Sequence, residues 1–207
     1  MNKPMKICGE LSFSAAEAVR LLRSNLEYSV SDVTGCRVLG VTGALRGEGR
    51  TVTAVNLAWS LAESGKKVLL LDADLRSGQA ASMLGLSPDR GLTQVLRGEI
   101  SFEEAQQPGG IEGLYVLAAG GSAADPAALL NSDAMRRLIG TLRERFDYIL
   151  MDLPPVTVVS DALSAAESAD GMLVVIRRGQ TRRRELENTL RTLDGQRVKV
   201  LGLVLNG

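Results

Sequence analysis

Arg37-Val-Leu-Gly-Val-Thr-Gly43-Ala-Leu-Arg-Gly47-Glu-Gly49-Arg50-Thr51 runs from an apolar, β-branched stretch through a glycine-rich turn and into an apolar helical pattern. Such a turn exposes backbone N–H groups at a helix N-terminus, where both the amides and the helix dipole favour phosphate. Glycine is needed because side chains would keep the backbone from approaching closely. Set against the pattern G-x-x-x-x-G-K-[ST], Thr51 stands where a hydroxyl coordinates magnesium, Ala44 takes the first glycine position and Arg50 takes the lysine. Alone, the stretch also fits a strand-to-helix turn with no ligand.

Outward from it, apolar runs recur at 67–71, 114–118, 148–151, 171–176 and 198–205. Helix-period segments at 51–63, 127–145, 159–169 and 181–193 lie between them. Continuous apolar strands separated by helices predict a doubly wound α/β fold, a mostly parallel sheet with helices on both faces. Ligands in such folds bind beyond the carboxyl ends of the strands. Residues 109–125, rich in Gly, Ala and Ser, read as loop around one short strand. There is no internal repeat and no Pro/Gly linker, so 1–207 read as a single domain: an N-terminal helical segment at 1–30 and a nucleotide-binding core at 37–207.

The residues after the strands carry the chemistry. The run 68–71 ends in Asp72-Ala73-Asp74-Leu75-Arg76. Residues two apart on a strand point the same way, so continued strand geometry would turn both carboxylates to one side of the sheet edge. Two such groups suit magnesium and its waters, or accept a proton from an attacking hydroxyl. Asp152 closes the run 148–151, where a magnesium carboxylate sits in P-loop enzymes, and Pro154 and Pro155 stiffen the exit. Each acid singly also fits a solvated loop start. Jointly they set three carboxylates and a phosphate loop on one edge of one sheet.

Composition narrows the chemistry further. Of 207 residues, 45% are apolar and 23% charged, enough for one domain with a large core. Lys plus Arg equals Asp plus Glu at 24 each, so the bulk basic field of a nucleic-acid binder is missing. With no histidine, acid–base and metal chemistry falls to carboxylates, hydroxyls and backbone. Cys8 and Cys36 lack metal-ligand spacing and read as reduced thiols of a cytoplasmic protein. No run approaches the ~20 apolar residues of a membrane span, and no apolar signal region opens the chain. The expectation is a cytoplasmic protein that, if it works at the inner face of a membrane, is held there by a partner.

The set Gly47-Glu-Gly49-x-Thr51, Leu69-Leu-Leu-Asp72-Ala-Asp74-Leu-Arg76 and Ile149-Leu-Met-Asp152-Leu-Pro-Pro155 resembles the Walker A, A′ and B motifs of the bacterial tyrosine kinases of capsule and exopolysaccharide export. Further matching stretches are Glu17-Ala-Val-Arg20-Leu-Leu-Arg23, Gly91-Leu-Thr-Gln-Val-Leu96, Asp161-Ala-Leu163 and Leu203-Val-Leu-Asn206-Gly207. The resemblance implies that Gly47, Glu48, Gly49, Arg50, Thr51 and Val52 hold the phosphates of ATP or ADP. It also implies that Thr51, Asp74 and Asp152 bind Mg2+, that Asp72 and Asp74 activate the tyrosine hydroxyl with Arg50 beside the phosphates, and that Asn206 lies near the adenine. It further implies a homo-oligomeric ring joined through Glu17, Arg20 and Arg23, a protein-tyrosine substrate, and a membrane-embedded polysaccharide co-polymerase as activator. Read without the family, Glu17, Arg20 and Arg23 form a drifting stripe on a helix at 15–26 whose apolar positions are Val19, Leu22 and Leu26. Arg177, Arg178 and Arg182 to Arg184 read as a solvated helix start or as a docking surface for an acidic partner.

Two departures matter. Arg50 keeps the charge of the usual lysine but not its geometry, which predicts weakened nucleotide binding and a larger loss of phosphoryl transfer. The chain also lacks a terminal tyrosine cluster, its tyrosines being Tyr28, Tyr115 and Tyr148. Three readings follow: a protein-tyrosine kinase, a degenerate ATP-binding scaffold of the same export machinery, and a partition- or division-site ATPase. The last carries a signature lysine where this chain has Leu45.

Overall fold

The computed structural model describes residues 11–207, so Cys8 lies outside the described residues. Seven strands form one sheet in the order β3-β4-β2-β5-β1-β6-β7. They are β1 (Arg37–Gly43), β2 (Val68–Asp72), β3 (Gln107–Pro108), β4 (Leu114–Leu117), β5 (Tyr148–Asp152), β6 (Gly171–Arg177) and β7 (Val200–Asn206). All pairings are parallel except that of β3 with β4. The doubly wound α/β expectation therefore holds, with one two-residue antiparallel edge added.

Strand parity sorts the sheet's side chains into two cores. Leu69, Leu71, Ile149 and Met151 face one layer, made by α4 (Leu92–Arg97), α5 (Phe102–Ala105), α6 (Pro126–Leu130), α7 (Asp133–Leu142), α8 (Asp161–Ala166) and α9 (Arg183–Gly195). Val68, Leu70, Tyr148 and Leu150 face the other, made by α1 (Phe13–Ser29), α2 (Arg50–Glu63) and α3 (Ala80–Met83). Asp72 and Asp152 continue the second set by parity and stand opposite each other in the β2–β5 register.

The expected helix at 127–145 is two helices. Asp125 caps α6 by accepting from the Ala128 N–H, with Pro126 at the first helical position, and the Ser132 hydroxyl restarts the chain as α7 by accepting from the Met135 N–H. The segment at 159–169 contracts to six helical residues. Short helices α3, α4 and α5 had no periodicity long enough to register, although Ser101-x-x-Glu104 is a capping box.

Candidate functional site

The phosphate loop leaves β1 and enters α2, whose N-terminus is Gly49 in left-handed backbone (φ 88°). A Cβ on Gly49 would lie 2.0 Å from Asn206 Nδ2, which itself donates to the Glu48 carbonyl at 2.9 Å. Gly43 is equally tight: a Cβ there would meet a Glu48 carboxylate oxygen at 2.4 Å and the Val175 carbonyl at 2.8 Å. Gly49→Ala is expected to cost about 1–2 kcal/mol from backbone handedness alone, with the Asn206 clash in addition. Thermal unfolding measures the loss, and a melting point equal to the parent's would contradict this packing.

Glu48 turns inward. It is fully buried, accepts the Leu45 N–H at 2.8 Å and accepts the Thr181 hydroxyl at 2.5 Å. Of its polar groups only the backbone N–H is left for a ligand. Arg177 Nη1 donates to the Gly47 carbonyl at 3.0 Å, and Gln180 Nε2 to the Arg46 carbonyl at 2.8 Å. The β6–α9 turn thus braces the loop from outside. From sequence Arg177 had only a place in a basic cluster, and Thr181 and Gln180 carried no signal.

Two cavities open on the carboxyl edge around this loop. One, about 320 Å3, is bounded by Gly47, Arg50, Thr51, Asp74, Arg76 and Pro154. The other, about 410 Å3, runs along Gly49, Thr51, Val52, Arg177 and Asn206. The Arg50 guanidinium donates to the Leu153 carbonyl just past β5, so its charge is tied to the wall of the first cavity.

The acids are brought to the same edge but do not form the expected flat pair. The chain bends after Asp72. Asp74 closes a turn, accepting from the N–H groups of Arg76 and Ser77 and from the Ser77 hydroxyl, and borders the first cavity. Asp72 lies beneath that turn and accepts from the Ala80 N–H at 2.9 Å and the Asp74 N–H at 3.3 Å. Burial, then the neighbouring Asp152, pushes the Asp72 carboxyl up to about 8. Burial also pushes Asp152 up to about 7, opposed by a Thr51 hydrogen bond and the Arg50 charge and reinforced by Asp74. Asp152 Oδ1 is buried with no hydrogen-bond partner.

That unpartnered oxygen beside a threonine hydroxyl fits a hydrated Mg2+. Among the described residues no cluster of three or more His, Cys, Asp or Glu forms a protein-only metal cage. Magnesium is usually held by one or two carboxylates together with substrate phosphates, and the donor set here fits a site of that kind. Arg76, quoted above only as part of a motif, forks onto the buried Asp161 at 2.6 and 3.2 Å and stands over the first cavity. Asp161 was quoted above within a matching stretch, without a role.

Glu17 and Arg20 pair with each other on the exposed face of α1. Arg23 does not join that face: its guanidinium donates to the Ser60 carbonyl at 2.8 Å, at the end of α2.

A family model for an AAA domain matches residues 37–198. The chain is 35% identical over 196 residues to the tyrosine-protein kinase CpsD of Streptococcus pneumoniae, covering 93% of this chain and 84% of that protein. It is 34% identical to the tyrosine-protein kinase ptk of Acinetobacter johnsonii, again over 93% of this chain but spanning only 26% of that protein's length. Among solved structures, the kinase domain of Escherichia coli tyrosine kinase ETK superposes with a TM-score of 0.89 at 34% identity, covering 94% of this chain and 76% of that one. The septum site-determining protein MinD of Pyrococcus horikoshii, complexed with Mg-ADP, superposes less closely, with a TM-score of 0.69 at 26% identity over 83% of this chain and 70% of that one. The chain belongs to the bacterial tyrosine-protein kinase family, the family its three Walker motifs resemble.

Proposed function

We propose that this chain transfers the γ-phosphate of ATP to protein tyrosine, with Mg2+ held by Thr51 and Asp152 and supported by Asp74. The observation that carries the reading is the buried, unpartnered Asp152 Oδ1 at the phosphate loop. A bare carboxylate oxygen in a core is costly and is retained where a cation satisfies it. The backbone of Gly47 to Thr51 takes the phosphates at the N-terminus of α2, and Mg2+ neutralises charge on the transferring group. The cavity beside Val52 and Asn206 takes the nucleoside. Calorimetric titration with Mg·ADP and Mg·ATP tests the site, followed by an assay of phosphate transfer to a tyrosine copolymer. No heat at millimolar nucleotide would sink the reading.

A second reading, an ATP-binding scaffold of an export machine, is favoured by one observation: the Arg50 guanidinium is engaged by the Leu153 carbonyl. Partition-type ATPase activity draws no support from Leu45.

The N-terminal segment is proposed to join copies of the chain. Phe13, Leu21 and Tyr28 are 81%, 62% and 85% exposed, and helical spacing puts them on the α1 face that also carries Glu17 and Arg20. Glu17→Arg is expected to shift the protein toward monomer in sedimentation; an unchanged distribution would remove this face from the interface. Within the proposal a membrane-embedded co-polymerase recruits the chain to the inner membrane face. Among the described residues no helix is long and apolar enough to cross a membrane.

A further inference from the structure

The fold treats the chain's tyrosines differently. Tyr148 is buried in β5 beneath the Arg37 guanidinium. Tyr115, in β4, is half-buried, its ring held edge-on by Phe146 at 5.6 Å and covered by the Lys67 ammonium at 5.8 Å. Tyr28 stands 85% exposed in the last turn of α1, and among the described residues its hydroxyl has no hydrogen-bond partner. Val30 caps the helix two residues later, and helix ends of this kind open at little cost.

The course of α1 decides which nucleotide site can reach Tyr28. The helix runs against the strands. Ala15, Ala18 and Val19 border a cavity with Val52 and Asn206, at the carboxyl edge where the nucleotide site lies. Past its other end the chain turns into β1 at the amino edge, and Asp32 pairs with Lys199, just ahead of β7, at 3.8 Å. The helix has 17 residues. At ~1.5 Å per residue, about 25 Å part its two ends. A phosphate bound at the N-terminus of α2 therefore does not reach Tyr28 of the same chain.

Charge favours a meeting between copies. Arg46, Arg177, Arg178 and Arg182 are exposed on the phosphate loop and on the β6–α9 turn that braces it. Glu27 and Asp32 flank Tyr28, and their pairings with Arg23 and Lys199, at 3.9 and 3.8 Å, are long surface contacts of small worth. Complementary surfaces of this kind steer encounter and set register.

We propose that Tyr28 is a phosphorylation site, modified by the nucleotide site of a second copy of this chain. The inference rests on the kinase reading above. The Tyr28 phenolic oxygen bonds to the γ-phosphorus, the bond from phosphorus to the β–γ bridging oxygen breaks, ADP leaves, and the phenolic proton ends in solvent. Tyr28 also belongs to the α1 face proposed above to join copies, so it is open to modification in a chain outside that contact.

Incubation with Mg·ATP is expected to place phosphate on tryptic peptide 24–37, whose sole tyrosine is Tyr28. Tyr28→Phe is expected to lower incorporation into the chain about tenfold while transfer to a glutamate–tyrosine copolymer keeps the parent rate. A mixture shows whether copies act on one another. With Tyr28→Phe as donor and Asp152→Asn as acceptor, peptide 24–37 of the acceptor is expected to gain phosphate at a rate that rises with donor concentration. Phosphate on Tyr28 in the parent chain but not in the mixture overturns transfer between copies, and phosphate confined to Tyr115 or Tyr148 overturns the site. A phosphorylated copolymer beside an unmodified Tyr28 ends the proposal and leaves the kinase reading standing. A copolymer and a chain both unmodified end the kinase reading, and the proposal with it.

Discussion

Asp152→Asn is expected to lose Mg·ADP affinity by about a hundredfold, as for other buried charges deprived of a partner, and to melt about 5 °C higher than the parent when nucleotide is absent. The two effects have one cause. In the empty protein Asp152 is a buried acid only partly compensated by the Thr51 hydroxyl and the Arg50 charge; in the proposed complex it would anchor a cation. The pH dependence carries the sign. The Asp152 carboxyl is raised from 3.8 to about 7, and that of Asp72 from 3.8 to about 8, chiefly by burial. Between those limits the folded protein binds more protons than the unfolded chain, so stability is full below about pH 4 and is lost as pH rises toward about 8. The melting advantage of the variant is therefore near zero at acid pH and full at mildly alkaline pH. An advantage of equal size at both would locate the effect in packing, not charge.

Arg50→Lys is expected to raise phosphoryl transfer by about tenfold or more, with a smaller gain in nucleotide affinity. The guanidinium now spends a donor on the Leu153 carbonyl. An ammonium on a thin stem is a compact charge that follows a phosphate, whereas the planar fork is directional. Binding tolerates a misplaced charge better than a transition state does, so the rate moves more than the affinity. Single-turnover transfer to the tyrosine copolymer measures the change, and an unaltered rate would clear Arg50 of any restraining role.

The parallel sheet and the acidic edge were legible because both are written in short-range pattern. Five-residue apolar runs ending in aspartate fix which strands are buried and which residues reach the edge, and parity alone places Asp72 with Asp152. What the sequence hid was tertiary. Glu48 looks like a loop residue offered to a ligand, yet its carboxylate is held by Leu45 and by Thr181, 133 residues away. Arg23 looks like part of a surface stripe with Glu17 and Arg20, yet it binds the end of α2. The bend that parts Asp74 from Asp72 is made by backbone donors at 74, 76, 77 and 80, which no side-chain pattern announces.

The bond from Asn206 to the Glu48 carbonyl spans 158 positions of sequence. A protein made from its N-terminus acquires the phosphate loop and α2 long before β7 emerges. Until that last strand docks on β6, the loop lacks the amide that braces it beside Gly49. A nascent chain on the ribosome thus carries an unbraced loop, and its bracing comes in one late step, when β7 docks.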